Sequence, residues 1–261
     1  MILDEIVAKK KVRLKQAIQQ TSRQAMIKEA IASPRPHGQA VYQHFAKPGI
    51  HLIGEVKKAS PSKGLIEPHF DYLRFAKEYE QAGVSAISVL TEQDYFQGEL
   101  SYLQSITQQV HTPVLRKDFI IDDYMIYSAR AAGATIILLI VAILSPKQVR
   151  DYLQLAKKLG LAALVEAHDQ NEVQIALQAG AQMIGVNNRN LKNFTVSPTN
   201  CLRLRPFIPR DKIMIGESGI KTAADVQALQ QAGVNGVLIG ETLMRAKDKA
   251  AKVKELAGEV Q

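Results

Sequence analysis

The sequence has almost no cysteine and no long apolar run. Cys201 is the single cysteine among 261 residues, so no disulfide can form within the chain, and we expect a protein of the reducing cytoplasm. The longest apolar run, 134–144, is far shorter than the roughly 20 residues that cross a bilayer. The first residues, MILDEIVAKKK, lack the apolar core of a secretory signal. We therefore expect a soluble protein with no membrane partner.

The chain also lacks a clear nucleic-acid signature, although positive charge prevails. Lysine and arginine number 33 against 25 acidic residues, which gives a formal net charge of +8. A basic surface can bind nucleic acid or attract phosphorylated metabolites. Only Lys9, Lys10 and Lys11 are clustered, and the other basic residues are scattered. We therefore expect a phosphorylated small molecule as partner, no nucleic acid, and a monomer.

Low-complexity segments and linkers are absent as well, and what the chain has instead is a repeated unit. Helical patterns end in Ala-Gly or Leu-Gly and pass at once into a short apolar run, at positions 82, 132, 159, 179 and 232. Glycine just beyond a helix end adopts the left-handed conformation at little cost. An apolar run directly afterwards is typical of a buried parallel strand. The unit is therefore a helix, a glycine and a strand.

Counting these units predicts a barrel. Eight strands are predicted at 51–55, 86–91, 113–117, 135–141, 162–166, 183–187, 212–217 and 236–240. Helices are predicted at 71–81, 100–109, 122–132, 146–159, 171–179, 198–207, 223–232 and 242–256. Ser145-Pro146 and Ser197-Pro198 carry the cap and first-turn proline of helix starts. Eight alternating strands and helices predict an α/β fold, a single (β/α)8 TIM barrel.

The barrel is predicted to be one domain over residues 1–261, with residues 1–48 as an N-terminal helical extension. That extension holds two amphipathic helices, at 2–19 and 23–31. A doubly wound open sheet is the alternative architecture. It usually carries a glycine-rich fingerprint after its first strand, and this chain has none there.

The segment 53–64, IGEVKKASPSKG, starts as a buried strand and ends as a turn. Glu55 and Lys57 lie two residues apart, so on a strand both point to the same side. The Ser-Pro-Ser-Lys-Gly that follows has turn chemistry together with hydroxyl and cationic donors. The segment suggests a site for an anionic substrate, and together with the other strand ends it makes 60–64 a mobile lid on the first βα loop.

The other strand ends extend this site, because catalytic groups of barrels lie at the carboxyl ends of the strands. A charged residue within a parallel sheet is costly unless it is paired or functional. One such residue could be a structural ion pair, but three carboxylates and two lysines at one rim indicate a functional site. The strand ends supply these candidates: Glu55, Lys57, Arg116, Lys117, Asp118, Glu166, His168, Asn187, Asn188, Arg189, Glu217, Ser218, Gly219, Gly240 and Glu241.

Phosphate sites of barrels usually form from the loops after strands seven and eight. Here those loops read Glu-Ser-Gly-Ile at 217–220 and Ile-Gly-Glu-Thr at 239–242. Gly219 and Gly240 would let backbone N–H groups approach an anion. The alternative is that both glycines only complete tight turns.

Two tempting signals point elsewhere. His168 and His111 are not spaced for a metal with cysteine or a second histidine, so we expect no metal. The His168-Asp169 pair more simply starts a loop and caps the next helix. Cys201 stands at a helical position and is expected to be packed.

Taken together, these motifs resemble one family, indole-3-glycerol-phosphate synthase, a barrel enzyme of tryptophan biosynthesis that carries an N-terminal extension. The matching segments are IGEVKKASPSKG at 53–64, PVLRKDFI at 113–120, LVEAH at 164–168, IGVNNRNL at 184–191, GESGI at 216–220 and LIGETLMR at 238–245. The resemblance implies a carboxy-lyase without cofactor or metal. It would close the ring of 1-(2-carboxyphenylamino)-1-deoxyribulose 5-phosphate to give indole-3-glycerol phosphate, carbon dioxide and water.

The resemblance also implies residue roles. Lys117 matches the general acid and Glu166 the general base, Glu55 would orient Lys57, and Lys57 would pair with a substrate anion. Asn187 and Glu217 would bind and position the sugar-derived chain, and Arg189 would add positive charge near the anionic substrate. Ser60 would shape the lid over the anthranilate end. Phosphate would be bound through the backbone of Ser218, Gly219, Gly240 and Glu241.

Two rivals stay open at this point. Phosphoribosylanthranilate isomerase is another phosphosugar barrel, but its chemistry typically uses Cys or Asp on strand one, where this chain has Glu55 and Lys57. A basic, non-catalytic binding protein on a barrel scaffold would leave Lys117 and Glu166 dispensable for activity.

Overall fold

A computed structural model of the chain describes residues 2–189, 195–197 and 199–258. Eight parallel strands close into a barrel in which each strand pairs with its sequence neighbours and the last pairs with the first. The strands are β1 (His51–Val56), β2 (Ala86–Leu90), β3 (Val114–Lys117), β4 (Ile136–Ile140), β5 (Ala162–Ala167), β6 (Met183–Asn187), β7 (Ile213–Glu217) and β8 (Gly236–Ile239). The predicted TIM barrel is confirmed, and each predicted strand end lies within one residue of the observed one.

Helices precede the barrel and connect its strands. Before β1 stand α1 (Ile2–Gln20), α2 (Arg23–Ala32) and α3 (Gly38–Phe45). The barrel helices are α4 (Tyr72–Gln81), α5 (Leu100–Thr107), α6 (Asp123–Ala131), α7 (Pro146–Leu159), α8 (Gln170–Gln178), α9 (Asn200–Leu204), α10 (Ala223–Gln231), α11 (Glu241–Arg245) and α12 (Lys249–Ala257). None of the helices in the described residues is long and apolar enough to cross a membrane.

Local sequence explains where several helices begin and end. Ser145 and Gln148 form a capping box around Pro146 at the start of α7, and Gly160 ends that helix with φ of +80°. The predicted helix 242–256 is wrong as one element: α11 and α12 are separate, because Ala246 adopts an extended conformation and Asp248 caps a new helix. The predicted start at Pro198 falls outside the described residues.

One helix, α3, was not predicted. The side chain of His37 makes no capping hydrogen bond, and Pro34 and Pro36 suggest that helical structure has ended. Tertiary packing supplies what local signals lack: Phe45 and Val41 are buried and belong to the cluster inside the barrel.

Two apolar layers hold the fold together. One lies between strands and helices, and the other fills the barrel interior with side chains such as Ile53, Leu115, Leu138 and Ile215. Burying such side chains stabilises the fold by about 25 cal/mol per Å² of apolar surface removed from water. The interior leaves the carboxyl ends of the strands free for polar groups, which is where the predicted site residues stand.

The helices before β1 run along the barrel from one end to the other. Lys10 of α1 reaches Asp118, just beyond the carboxyl end of β3, at 2.8 Å. Arg23 of α2 pairs with the start of α6 at 2.7 Å. Gly38 of α3 donates its N–H to the carbonyl of Gly160, just before β5, at 2.8 Å. The chain therefore passes from the carboxyl end to the amino end of the barrel before it enters β1.

Candidate active site

A cavity of about 770 Å³ opens at the carboxyl end of the barrel. All twelve residues predicted for the site line it: Glu55, Lys57, Ser60, Lys117, Glu166, Asn187, Arg189, Glu217, Ser218, Gly219, Gly240 and Glu241. They come from β1, β3, β5, β6, β7 and the loops after β1, β6, β7 and β8. The closed barrel thus gathers residues from distant parts of the sequence around one space.

The centre of the cavity is Lys117, surrounded by three buried carboxylates. Its Nζ lies 3.7 Å from Oε2 of Glu217, 3.9 Å from Oε2 of Glu166 and 4.0 Å from Oε2 of Glu55. Burial alone would lower the pKa of Lys117, but the three carboxylates outweigh it and raise the pKa above its ordinary value. Lys117 therefore carries a proton that it can donate to a developing alkoxide.

The carboxylates divide according to their partners. Glu55 bonds Nζ of Lys57 at 2.5 Å; burial opposes ionisation, yet Lys57 and Lys117 together lower the pKa of Glu55. Burial and then the neighbouring Glu166 raise the pKa of Glu217 well above its ordinary value. Carboxyl groups that share a site cannot all ionise cheaply, so this cluster combines ionised and proton-holding groups.

Close packing of the carboxylates depends on two glycines. A Cβ at Gly240 would lie 2.3 Å from Oε1 of Glu55 and 2.7 Å from Nζ of Lys57. A Cβ at Gly185, on β6, would lie 2.1 Å from Oε1 of Glu217. Both positions need the absence of a side chain so that the carboxylates can lie against the backbone.

The loops after β7 and β8, which are predicted to bind an anion, lie next to each other at the cavity. Ser218 and Gly219 both have positive φ, +67° and +77°. Asn188 donates to the carbonyl of Ser218 at 3.0 Å, and Thr242 donates to that of Ile220 at 2.7 Å, so the two loops are tied together. Successive residues in unusual conformations turn backbone N–H groups toward a concavity, as anion sites require.

The Glu241 side chain turns toward cations and away from this corner. Its Oε1 lies 3.1 Å from Nε of Arg245 and 3.6 Å from Nζ of Lys63. The Glu241 carboxylate is therefore paired with cations, and the prediction that its backbone N–H binds an anion stays a prediction.

The loop after β1 folds over the cavity as a short hairpin, Ala59–Ser60 paired with Gly64–Leu65. Arg189 donates to the hydroxyl of Ser62 at 3.0 Å, which links the hairpin to the loop after β6. A second link joins Lys63 to Glu241. Exposed polar contacts thus connect the hairpin to the loop after β6 and to the start of α11.

Sequence reasoning missed the apolar side of the cavity. Phe96, Phe119, Leu138 and Ile140 line it, and the rings of Phe96 and Phe119 lie 6.1 Å apart. The Glu92 carboxylate holds the Phe96 loop by accepting its backbone N–H at 3.0 Å. The only signal was Phe119, which directly follows the charged end of β3; an apolar wall carries no polar mark at a strand end.

Arg116 and Asp118, also considered at the end of β3, form a structural network. Asp118 accepts from Arg116 at 3.0 Å and from Thr91 at 2.7 Å, and it pairs with Lys10 at 2.8 Å. Lys10 and Arg116 outweigh burial and hold the pKa of Asp118 far below its usual range. These groups secure the backbone beside Lys117.

The surroundings of the His168-Asp169 pair and of Cys201 show what these residues do in the fold. Asp169 accepts from the N–H of Glu172 and caps α8, as predicted, while His168 lies between Glu166 and Glu172. Cys201 is buried, as predicted, and burial raises the pKa of its thiol to about 12. Across the described ranges, no group of three or more His, Cys, Asp or Glu side chains is arranged to hold a metal ion.

The family model and the relatives found by sequence indicate the same family. The model of indole-3-glycerol phosphate synthase matches residues 3–256. The chain is 57% identical over 250 residues to the indole-3-glycerol phosphate synthase of Lacticaseibacillus casei, which covers 95% of this chain and 96% of that relative. It is 49% identical to that of Leuconostoc mesenteroides subsp. mesenteroides, over 99% of this chain and 100% of the relative.

Solved structures support the fold alone. The 3-hexulose-6-phosphate synthase of Salmonella typhimurium superposes with a TM-score of 0.66 at 16% identity, over 80% of this chain and 97% of that chain. Sequence similarity along almost the whole length is the stronger finding. The chain belongs to the indole-3-glycerol phosphate synthase family.

Proposed function

We propose that the carboxyl-end cavity converts 1-(2-carboxyphenylamino)-1-deoxyribulose 5-phosphate into indole-3-glycerol phosphate, carbon dioxide and water. The observation that carries this proposal is Lys117 among three buried carboxylates. The same cavity is lined by the rings of Phe96 and Phe119 and by the backbone of Ser218 and Gly219. An aromatic ring, a reacting carbonyl and a phosphate would each meet a fitting surface.

Ring closure requires a proton on the ketone oxygen. Lys117 is the group we assign to that step, because surrounding carboxylates keep its ammonium charged. Glu166, which lines the same cavity, is the proposed base that removes a proton during dehydration. Glu55 holds Lys57 at 2.5 Å, so Lys57 is set to pair with a substrate anion.

The remaining groups position the substrate. Asn187 and Glu217 would orient the sugar-derived chain, and Arg189 would add positive charge near the anionic groups. Ser60 would shape the lid, and the backbone of Ser218, Gly219, Gly240 and Glu241 would bind phosphate. Support for the last assignment is that the Glu241 carboxylate already pairs with Arg245.

An assay with the carboxyphenylamino-deoxyribulose phosphate tests the function. We expect indole fluorescence to appear with the wild-type protein and to fall by a factor of about 10² to 10⁴ in Lys117→Ala, since general acid catalysis contributes on that order. Lys158→Ala, which removes an exposed lysine of α7, is the control and should keep the wild-type rate. Absence of fluorescence with wild type, or an undiminished rate in Lys117→Ala, would reject the proposal and favour a binding protein.

We also propose that the protein acts as a cytoplasmic monomer with neither nucleic acid nor membrane as partner. The monomer part is supported by the cavity itself, since all twelve predicted site residues line it within a single copy of the chain.

A further inference from the structure

His168 occupies a position between the proposed base and the protein surface. Its Nε2 lies 3.5 Å from Oε1 of Glu166, and its Nδ1 lies 3.2 Å from Oε2 of Glu172. Exposed fractions rise along this line, with 1% for the side chain of Glu166, 16% for His168 and 19% for Glu172. The three side chains thus form a path from the buried cluster to solvent.

Two buried atoms on this path lack hydrogen-bond partners among the described residues. They are Nε2 of His168 and Oε2 of Glu166. An unsatisfied buried polar atom is costly, and native structures seldom keep one without a reason. A proton on Nε2 would be directed at Oε1 of Glu166, 3.5 Å away, while Oε2 of Glu166 lies on the side of Lys117, 3.9 Å from its Nζ.

The surroundings of His168 favour the charged ring. From β5 it faces Glu166, and from α8 it faces Glu172 and Asp169. From α9 the amide of Asn200 donates to its backbone carbonyl at 3.2 Å. Burial would lower the pKa of His168, but the bond to Glu172 and the three carboxylates outweigh it and raise the pKa.

Glu172 also fixes the place of the ring. Its Oε2 accepts the backbone N–H of His168 at 2.7 Å in addition to contacting the ring. Its own N–H donates to Asp169 at 2.9 Å, which anchors it in the first turn of α8. A histidine held at both its backbone and its ring stays aimed at Glu166.

The proposed reaction needs a supply of protons. When the new carbon–carbon bond forms, one proton goes to the ketone oxygen, and a second goes to the hydroxyl group that leaves as water. One proton returns from the carbon beside the nitrogen, and the carboxylate leaves as neutral carbon dioxide with its electron pair left on the ring. Each turnover therefore consumes one proton from solvent, and the cluster around Lys117 must be resupplied.

We propose that His168 is a positioning residue that resupplies protons to Glu166, and that Glu172 holds it in place for this task. The proposal rests on the proposed function. The imidazolium gives its Nε2 proton to Oε1 of Glu166, which lies 3.5 Å away. The neutral ring then keeps its proton on Nδ1, and between turnovers the partly exposed side chain opens away from Glu166 so that Nε2 takes up the next proton from solvent. Glu166 in turn lies 3.9 Å from Nζ of Lys117, so the proton reaches the group that spends it.

The test compares His168→Gln, Glu172→Gln and the double variant with wild type, using indole fluorescence between pH 6 and 9. Removing the ionisable ring is expected to lower kcat by about tenfold, the low end for acid–base groups because water can partly substitute. KM should change less than about twofold, since His168 does not line the cavity. His111→Gln, a change at an exposed histidine at the other end of the barrel, should leave both constants unchanged.

Glu172→Gln keeps an acceptor for the His168 backbone but removes the negative charge. Its loss in kcat should be smaller, and the alkaline decline of kcat should move to lower pH because less charge then favours the imidazolium. The double variant should be no slower than His168→Gln alone, since both changes act on one path.

Buffer dependence separates proton supply from a purely structural role. Added imidazole should raise kcat of His168→Ala in proportion to its concentration and leave wild type unaffected. A slow variant whose rate ignores imidazole, or His168→Gln with wild-type kcat at every pH, would overturn the proposal. If wild type itself forms no indole product, the proposed function has failed instead, so the two failures are distinguishable.

Discussion

The two ends of the barrel both carry a hollow, and the larger one is not at the carboxyl end. The groove at the amino end has a volume of about 930 Å³, against about 770 Å³ for the carboxyl-end cavity. Its charged and titratable lining consists of Arg35, His37, His44, Lys47 and His111, and no carboxylate of the described residues lines it. Cavity volume therefore does not identify the active site, whereas buried side chains of opposite charge do.

The charges at the two ends are also handled differently. At the amino end, His44 and His51 share the hydroxyl of Ser85 at 3.0 and 3.2 Å. Burial lowers the pKa of both rings, so they are neutral and serve as packed hydrogen-bonding groups. At the carboxyl end, neighbouring carboxylates outweigh burial and raise the pKa of Lys117, while burial and Glu166 raise the pKa of Glu217, which is an arrangement suited to proton transfer.

Gly38→Ala, at the amino end of the barrel, should strongly destabilise the fold. A Cβ there would lie 2.3 Å from the backbone nitrogen of Ala162 and 2.4 Å from the carbonyl carbon of Leu161. Backbone atoms cannot move aside as a side chain can, so Gly38→Ala should cost about 3 kcal/mol of stability. Thermal and urea unfolding would measure this.

The folded fraction of Gly38→Ala should turn over at close to the wild-type kcat, because α3 packs at the end of the barrel opposite Lys117. Gly49→Ala is a useful companion, since nothing lies within 4 Å of a Cβ there and only its φ of +112° opposes the change. A large loss of kcat in the folded fraction of Gly38→Ala would contradict our view that the amino end supports stability and the carboxyl end supports catalysis.

Gly240→Ala makes the corresponding change at the carboxyl end. Its Cβ would meet the ends of two side chains, Oε1 of Glu55 at 2.3 Å and Nζ of Lys57 at 2.7 Å. These ends can move, so we expect little loss of stability, but their displacement should lower kcat by about 100-fold because small misplacements of reacting groups are that costly.

Steady-state kinetics and a melting curve on the same sample would check Gly240→Ala. Gly236→Ala, at the amino end of the same strand, is the matched control: a Cβ there would crowd the carbonyl of His51 at 2.8 Å, which should lower stability and spare kcat. If the two variants had the same profile, the ends of β8 would not differ as we argue.

The carboxyl rim could be predicted from the sequence because two independent signals coincide there. Apolar runs placed the strands, and charged residues such as Glu166 and Lys117 are conspicuous within such runs. Once a barrel is assumed, strand ends lie at one rim, so separate segments converge without any knowledge of distances. The order of proton affinities, with Glu55 favouring the charged form and Glu217 opposing it, depends on distances and needed the structure.

What could not be predicted depends on packing rather than on local pattern. Helix α3 has no side-chain cap, and Phe45 and Val41 justify it only once the barrel interior exists. Likewise, Phe96 and Phe119 look like ordinary core residues in the sequence. The link between Lys10 and Asp118 spans more than a hundred residues, and nothing in the pattern of α1 indicates which of its lysines is buried.

Glu217→Gln should change how the stability of the protein depends on pH. Because the pKa of Glu217 is raised in the folded protein, the native state binds more protons than the unfolded state once pH exceeds the ordinary glutamate value. Stability therefore falls as pH rises from there through the raised pKa. The glutamine variant should lose this dependence and gain about 1 kcal/mol at pH 8, roughly 3 °C in Tm.

Thermal unfolding of Glu217→Gln and wild type at pH 5 and pH 8 would measure that gain. Glu80→Gln is the control, since its carboxylate lies near the amino end, is hydrogen bonded by the N–H groups of His111 and Thr112, and has a lowered pKa. Its change should be destabilising. An equal gain at both pH values for Glu217→Gln would contradict the assignment of a raised pKa.

Lys63→Ala, in the hairpin over the cavity, should have the smallest effect of these variants. Lys63 and Glu241 lie 3.6 Å apart, and 47% of the Lys63 side chain is exposed, so their attraction is weak and screened by salt. Lys63→Ala should raise KM by a factor of about two to five at low salt, with kcat unchanged, because the hairpin closes less firmly over bound substrate. The difference from wild type should vanish at high salt, where the contact contributes nothing. A KM difference that persists undiminished at high salt would mean that Lys63 contacts the substrate itself and does not act through its pairing with Glu241.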